Sequence, residues 1–107
     1  MQNYDAIIIG AGHNGLTTAA YLAKAGKKVL VLERRPVIGG IAATEEIFPG
    51  FKFSTCEHLA GSFAREIIAD LGLQKHGLEI LQLNPLLFAP SLDEHSLVIP
   101  PALAKAT

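Results

Sequence analysis

Tryptophan is absent, cysteine occurs once, and neither sign of charge dominates. A lone Cys56 can close no internal disulfide and completes no C-x-x-C pair. That excludes a disulfide-stapled scaffold and a cysteine-based zinc or dithiol redox motif. A formal net charge of −1 gives no basic footprint, so nucleic acid is not an expected partner. No apolar run approaches the roughly 20 residues of a membrane-crossing helix, so no transmembrane segment is expected. The first apolar strand begins by residue 5, which leaves no room ahead of it for a signal or transit peptide. A reducing, cytoplasmic setting is the resulting expectation. Repeats and low-complexity tracts are also missing. His13, His58, His76 and His95 are scattered without metal-ligand spacing.

What is present is concentrated between Tyr4 and Gly40. Asp5-Ala6-Ile7-Ile8-Ile9 is a run rich in β-branched residues that ends at Gly10. Unbroken apolar character suits a parallel strand covered on both faces. Gly10-Ala11-Gly12-His13-Asn14-Gly15 then fits G-x-G-x-x-G. A helix is expected over Leu16 to Lys24, stopped by Gly26, and Val29-Leu30-Val31-Leu32 is a second apolar strand tipped by Glu33. Strand, tight turn, helix and acid-tipped strand in this order form the dinucleotide-binding fingerprint.

Each glycine has its own task in that pattern. Gly10 turns the chain out of the strand, Gly12 lets a pyrophosphate approach the backbone, and Gly15 permits close helix–strand packing. Unpartnered amides around Gly12, His13 and Asn14 point at the phosphates from the positive end of the helix dipole. Glu33 stands where an acid accepts the ribose hydroxyls, and its charge disfavours the 2′-phosphate of NADP.

Glu33-Arg34-Arg35-Pro36-Val37-Ile38-Gly39-Gly40 resembles the extended adenine-dinucleotide motif of flavoproteins. The glycine pair would let the loop pass close to FAD, and Arg34 and Arg35 could reach its adenosine or pyrophosphate. Residues 5 to about 90 resemble the amino-terminal end of phytoene desaturase-like, FAD-dependent oxidoreductases, within them the phytoene dehydrogenase-related group. Gly12-His13-Asn14-Gly15-Leu16 and the run from Thr44-Glu45-Glu46 through Phe48-Pro49-Gly50-Phe51 to Ser54 carry the resemblance. It implies an FAD domain interwoven with a substrate domain. Many carotenoid desaturases and amine oxidases carry Arg after the glycine pair where this chain has Ile41, which points away from a carotenoid or amine substrate.

The expected fold class is α/β: a Rossmann-like βαβ dinucleotide-binding unit followed by a helix and a β-hairpin, a partial FAD/NAD(P)-binding fold. A soft boundary near residue 55 separates an ADP-binding unit, 1–55, from an incomplete following region, 56–107. Ile41 to Pro49 is expected as loop, and Phe51, Phe53 and Thr55 as one face of a short strand. Glu57-His58 is a possible cofactor-side pair, though a surface loop is the simpler reading. Ser62 resembles an N-cap ahead of Phe63, Ile67, Ile68 and Leu71, and Gly72 ends that helix. A polar turn over Leu73 to Gly77, a strand over Leu78 to Leu83, and a hairpin over 86–99 follow, with a helix starting at Ala102. His76, Asp93 and His95 are expected at the surface.

At 107 residues the chain is far shorter than the family it resembles, and would be its amino-terminal, FAD-binding portion. No catalytic acid, base or nucleophile is evident. A plain NAD-binding module, a non-redox chaperone of prenylated proteins and an inert truncated product remain as alternatives. The intact glycines argue against the chaperone. Ile7, Ile9, Val29 and Val31 would face an incomplete sheet. The chain is therefore expected to associate with the missing carboxyl-terminal portion or with itself, and to hold FAD weakly alone.

Overall fold

The computed structural model describes residues 3–57, 59–61, 63–93 and 95–101. Strand β1 (Ala6–Ile9) leads into helix α1 (His13–Lys24), and β2 (Val29–Leu32) returns parallel to β1. The helix starts three residues before the expected Leu16, because Gly12 takes the N-cap position. Ala25 and Gly26 close it, their amides donating to the Tyr21 and Ala23 carbonyls. Side chains that alternate along a strand decide which face α1 covers. Pairing of Ala6 with Val29 and Ile8 with Val31 puts these four residues on one face, all half-buried. Small residues at Gly15, Ala19 and Ala20 let α1 lie close to them.

The opposite face carries Ile7, Ile9, Leu30 and Leu32. Ile7 is 60% exposed, Ile9 89% and Leu32 48%. Cover on both faces was expected of β1 and is found on one. Val29 and Val31, expected on the incomplete face, belong instead to the covered one, since register ties them to Ala6 and Ile8.

A second strand pair follows. Strand β3 (Thr44–Phe48) runs antiparallel to β4 (Phe51–Ser54). The strand in 51–54 was expected; β3 replaces the loop expected over Ile41 to Pro49. Its apolar residues sit at the exposed end, with Ile47 and Phe48 each 65% exposed, so it lacks the burial pattern that marks a strand. Backbone pairing around Gly50 creates it, helped by the Glu46 carboxylate accepting the Gly50 amide at 2.9 Å.

Helix α2 (Arg65–Leu71) has Ala64 at its N-cap and Gly72 at its C-cap; Ser62, the expected cap, lies outside the described residues. It rests on α1, where the Tyr21 hydroxyl donates to the Asp70 carboxylate at 2.9 Å and the Lys24 ammonium to the Asp70 carbonyl. The polar turn expected over Leu73 to Gly77 is a 3-10 turn over Leu73–His76. Leu78 to Leu83 forms no strand. Apolar alternation alone does not make one without a partner to receive its backbone groups. The hairpin at the end is present as β5 (Leu87–Pro90) antiparallel to β6 (Ser96–Ile99). The helix start expected from Ala102 and the turn residue Glu94 lie outside the described residues.

Among the described residues the buried core consists of Ala11 and Ala43. The radius of gyration is 18.4 Å, against about 13 Å for a compact domain of this length. The accessible surface is 9179 Å², where a folded monomer of 11.4 kDa exposes about 5,800 Å².

Candidate functional site

The site forms where β1 hands over to α1. The Gly10 amide donates to the Leu32 carbonyl at 2.7 Å, holding the turn against the end of β2. The first α-helical bond runs from the Leu16 amide to the Gly12 carbonyl at 2.9 Å. The amides of His13, Asn14 and Gly15 therefore have no acceptor inside the helix. No side chain caps this end and no acid lies in its first turn, so the positive end of the dipole is uncompensated from within the helix.

A side chain at Gly15 would overlap the Gly10 carbonyl oxygen and press on Ile8. Glycine there is a packing requirement. Around the absent Gly12 side chain the nearest atom is the Gly40 Cα, at an ordinary 3.8 Å. The backbone at Gly12 is thus left open to a ligand, a cradle that a methyl group would fill.

The glycine pair closes the other side. Gly39 donates to the Ala11 carbonyl at 2.8 Å and bridges to Gly12. Gly40 has φ +62°, and a Cβ on it would sit 2.9 Å from the Gly12 Cα. Gly39 and Gly40 therefore pack directly on the glycine turn, an arrangement that side chains would break.

Glu33 reaches the same turn. One carboxylate oxygen accepts the Ala11 amide at 2.7 Å, the other the Arg35 amide at 2.9 Å. The Arg35 and then the Ala11 amide hold this carboxyl below its ordinary value of 4.5. Arg35 was expected near the adenosine or pyrophosphate; its guanidinium meets Glu45 of β3 at 2.6 Å instead, and Thr55 donates to the same carboxylate at 3.3 Å. Arg34 is exposed.

Beyond the turn lies a cavity of about 470 Å³. His13, Asn14 and Thr17 of α1, Ile41 and Ala42 of the 3-10 turn Gly40–Ala42, Glu57, and Ala64 and Ile67 beside and on α2 line it. The Glu57 amide donates to the Ile41 carbonyl at 2.9 Å, which brings that acid to the cavity edge. Glu57 is exposed and lies in a loop, as the simpler reading had it, and it also lines the cavity edge. His58 lies outside the described residues. Thr17, Ile41, Ala42 and Ile67 were not singled out from sequence; position directly after the glycine pair was the one signal for Ile41 and Ala42. His76, Asp93 and His95 are exposed as expected. No group of three potential metal ligands occurs among the described residues, and no helix there is long and apolar enough to cross a membrane.

Residues 8–71 match the NAD(P)-binding Rossmann-like domain family. The chain belongs to that family. The α/β, Rossmann-like expectation is borne out with it. Over 98 residues, 92% of this chain, it is 54% identical to pyridine nucleotide-disulfide oxidoreductase domain-containing protein 2 of Rattus norvegicus, covering 17% of that protein. It is 51% identical over 80 residues, 72% of the chain, to a limonene dehydrogenase polypeptide of Castellaniella defragrans, covering 14% of it. Phytoene desaturase of Neurospora crassa is 41% identical over 86 residues, 76% of the chain and 14% of that protein. The resemblance to the phytoene desaturase-like group is borne out by these relatives. The chain spans about a sixth of their length.

Proposed function

We propose that this Rossmann domain binds the ADP half of FAD and serves as the nucleotide-binding portion of a phytoene dehydrogenase-like, flavin-dependent oxidoreductase. The observation that carries this is the packing of Gly39 and Gly40 on Gly12. A plain NAD module needs only the first turn, whereas here the loop after Glu33 is built against it. His13, Asn14 and Gly15 amides would hold the pyrophosphate, and Gly12 would leave room for it. Glu33 would accept the ribose hydroxyls with the lone pairs that Ala11 and Arg35 do not use. The cavity beside His13, Asn14 and Thr17 lies in line to receive the remainder of the cofactor.

Bound flavin would supply hydride transfer; the residues here bind and orient it. Relatives named for dehydrogenation and desaturation support a redox role for the longer protein. A second reading, an NAD-binding module, is favoured by the description of the matched family. NADP is disfavoured by the anionic Glu33. We place the protein, with Cys56 exposed and free, in the reducing cytoplasm.

The test is a fluorescence titration of FAD into the purified chain with ADP and NAD as competitors. FAD binding displaced by ADP supports the proposal. NAD binding with no FAD binding assigns the plain NAD module.

A further inference from the structure

We propose, on the strength of the FAD reading of this site, that Tyr21 and Lys24 are positioning residues. Through Asp70 they fix helix α2 as a wall of the cavity, and so set how much more tightly the chain holds FAD than ADP. Asn14 and Thr17 line the cavity. Asn14, Thr17, Tyr21 and Lys24 follow one another at steps of three, four and three, which stacks them on one face of α1. Helix α2 answers in the same order. Ala64 at its N-cap and Ile67 line the cavity. Asp70 then accepts the Tyr21 hydroxyl at its carboxylate, at 2.9 Å, and the Lys24 ammonium at its carbonyl. The early residues of both helices thus face the cavity, and the late ones close on each other about 6–10 Å beyond Thr17 along α1.

Helix α2 needs such a tie. It has seven residues, well under the roughly 12–15 at which an isolated helix is even marginal. None of its side chains is buried and no side chain caps it. Its apolar residues Ile67, Ile68 and Leu71 are half-buried, so apolar contact alone gives it a weak hold and the two bonds to Asp70 add to it. The ADP half of FAD would sit at the glycine turn, which α2 does not build. The remainder would enter the cavity that α2 walls. Losing the tie lowers the fraction of molecules with the wall in place, and apparent FAD affinity falls with that fraction.

The test takes dissociation constants for FAD and for ADP from amide shifts of the glycine turn, in the parent chain and two variants. The parent should hold FAD more tightly than ADP. Tyr21→Phe combined with Lys24→Met removes both bonds and should weaken FAD at least about threefold while leaving ADP unchanged. Asp70→Asn keeps an acceptor for Tyr21 and the carbonyl for Lys24, and should keep the parental ratio. A parent that holds both ligands equally, or a ratio that the double variant leaves unchanged, overturns this proposal while ADP binding leaves the site standing. Equal loss of FAD and ADP in the double variant also overturns it, making the tie a support of the whole fold. A parent that binds neither ligand overturns the FAD reading, and this inference with it.

Discussion

The Glu33 carboxylate accepts the Ala11 amide at 2.7 Å across 22 residues of chain, tying the tip of β2 to the glycine turn. Glu33 therefore shapes the glycine turn, in addition to the ribose-binding role proposed for it. Its carboxyl is held low in the folded state, so the stabilisation is complete above the ordinary value of 4.5 and is lost as pH falls through the depressed folded value. We expect ADP affinity to stay flat in this respect from neutrality to below pH 4.5 and to fall only as pH drops through the depressed folded value. Glu33→Gln should lower affinity about five- to thirtyfold at neutral pH and flatten the acid limb. Calorimetric titrations at several pH values check this; equal affinity of both proteins for ADP would count against the assignment.

Gly12 and Gly15 should respond differently to the same substitution. Gly15→Ala drives a methyl into the Gly10 carbonyl and should destabilise the fold by about 1–3 kcal/mol, as overpacking does. Gly12→Ala meets only ordinary contact with Gly40, and its N-cap backbone is extended. Thermal melts should separate the two: a lowered Tm for Gly15→Ala, an unchanged one for Gly12→Ala with weakened ADP binding. An unchanged dissociation constant in Gly12→Ala would remove Gly12 from the phosphate site.

Gly40→Ala should lift the loop off the turn. The new Cβ lies 2.9 Å from the Gly12 Cα, and φ is +62°, which L side chains disfavour by about 1–2 kcal/mol. FAD affinity should drop together with protection of the Gly39 amide, which donates to Ala11. Hydrogen exchange that stays at the parental rate for Gly39 would show the loop is held by something else.

The βαβ unit was legible because every signal in it is local: an apolar run, glycines at fixed offsets and an acid at the next strand's tip. What was missed depends on partners outside the stretch itself, whether near or far along the chain. Leu78 to Leu83 has strand-like composition and no strand beside it. Thr44–Phe48 has weak alternation and becomes a strand by pairing with Phe51–Ser54. The cavity gathers Thr17, Ile41, Glu57 and Ile67 from separate stretches of chain, and no spacing rule links them. Arg35 illustrates the same limit: nothing near it in sequence announces Glu45 as its partner.

The Arg35–Glu45 pair should contribute little to stability. Its side chains are 43% and 27% exposed, and such pairs are screened by salt. Arg35→Ala should shift Tm only slightly, and about 1 M salt should erase the difference. A large, salt-independent loss would mean that Arg35 supports the loop by packing.

Residue-resolved binding tests the central claim most directly, and it works even where affinity is weak. In a nitrogen–proton NMR titration with ADP, the account predicts saturable shifts of the Gly12, His13, Asn14 and Gly15 amides, with Glu33 and Gly39–Gly40 following the same curve and the β5–β6 hairpin staying still. No saturable shift at the turn, or shifts confined to the hairpin, would contradict it.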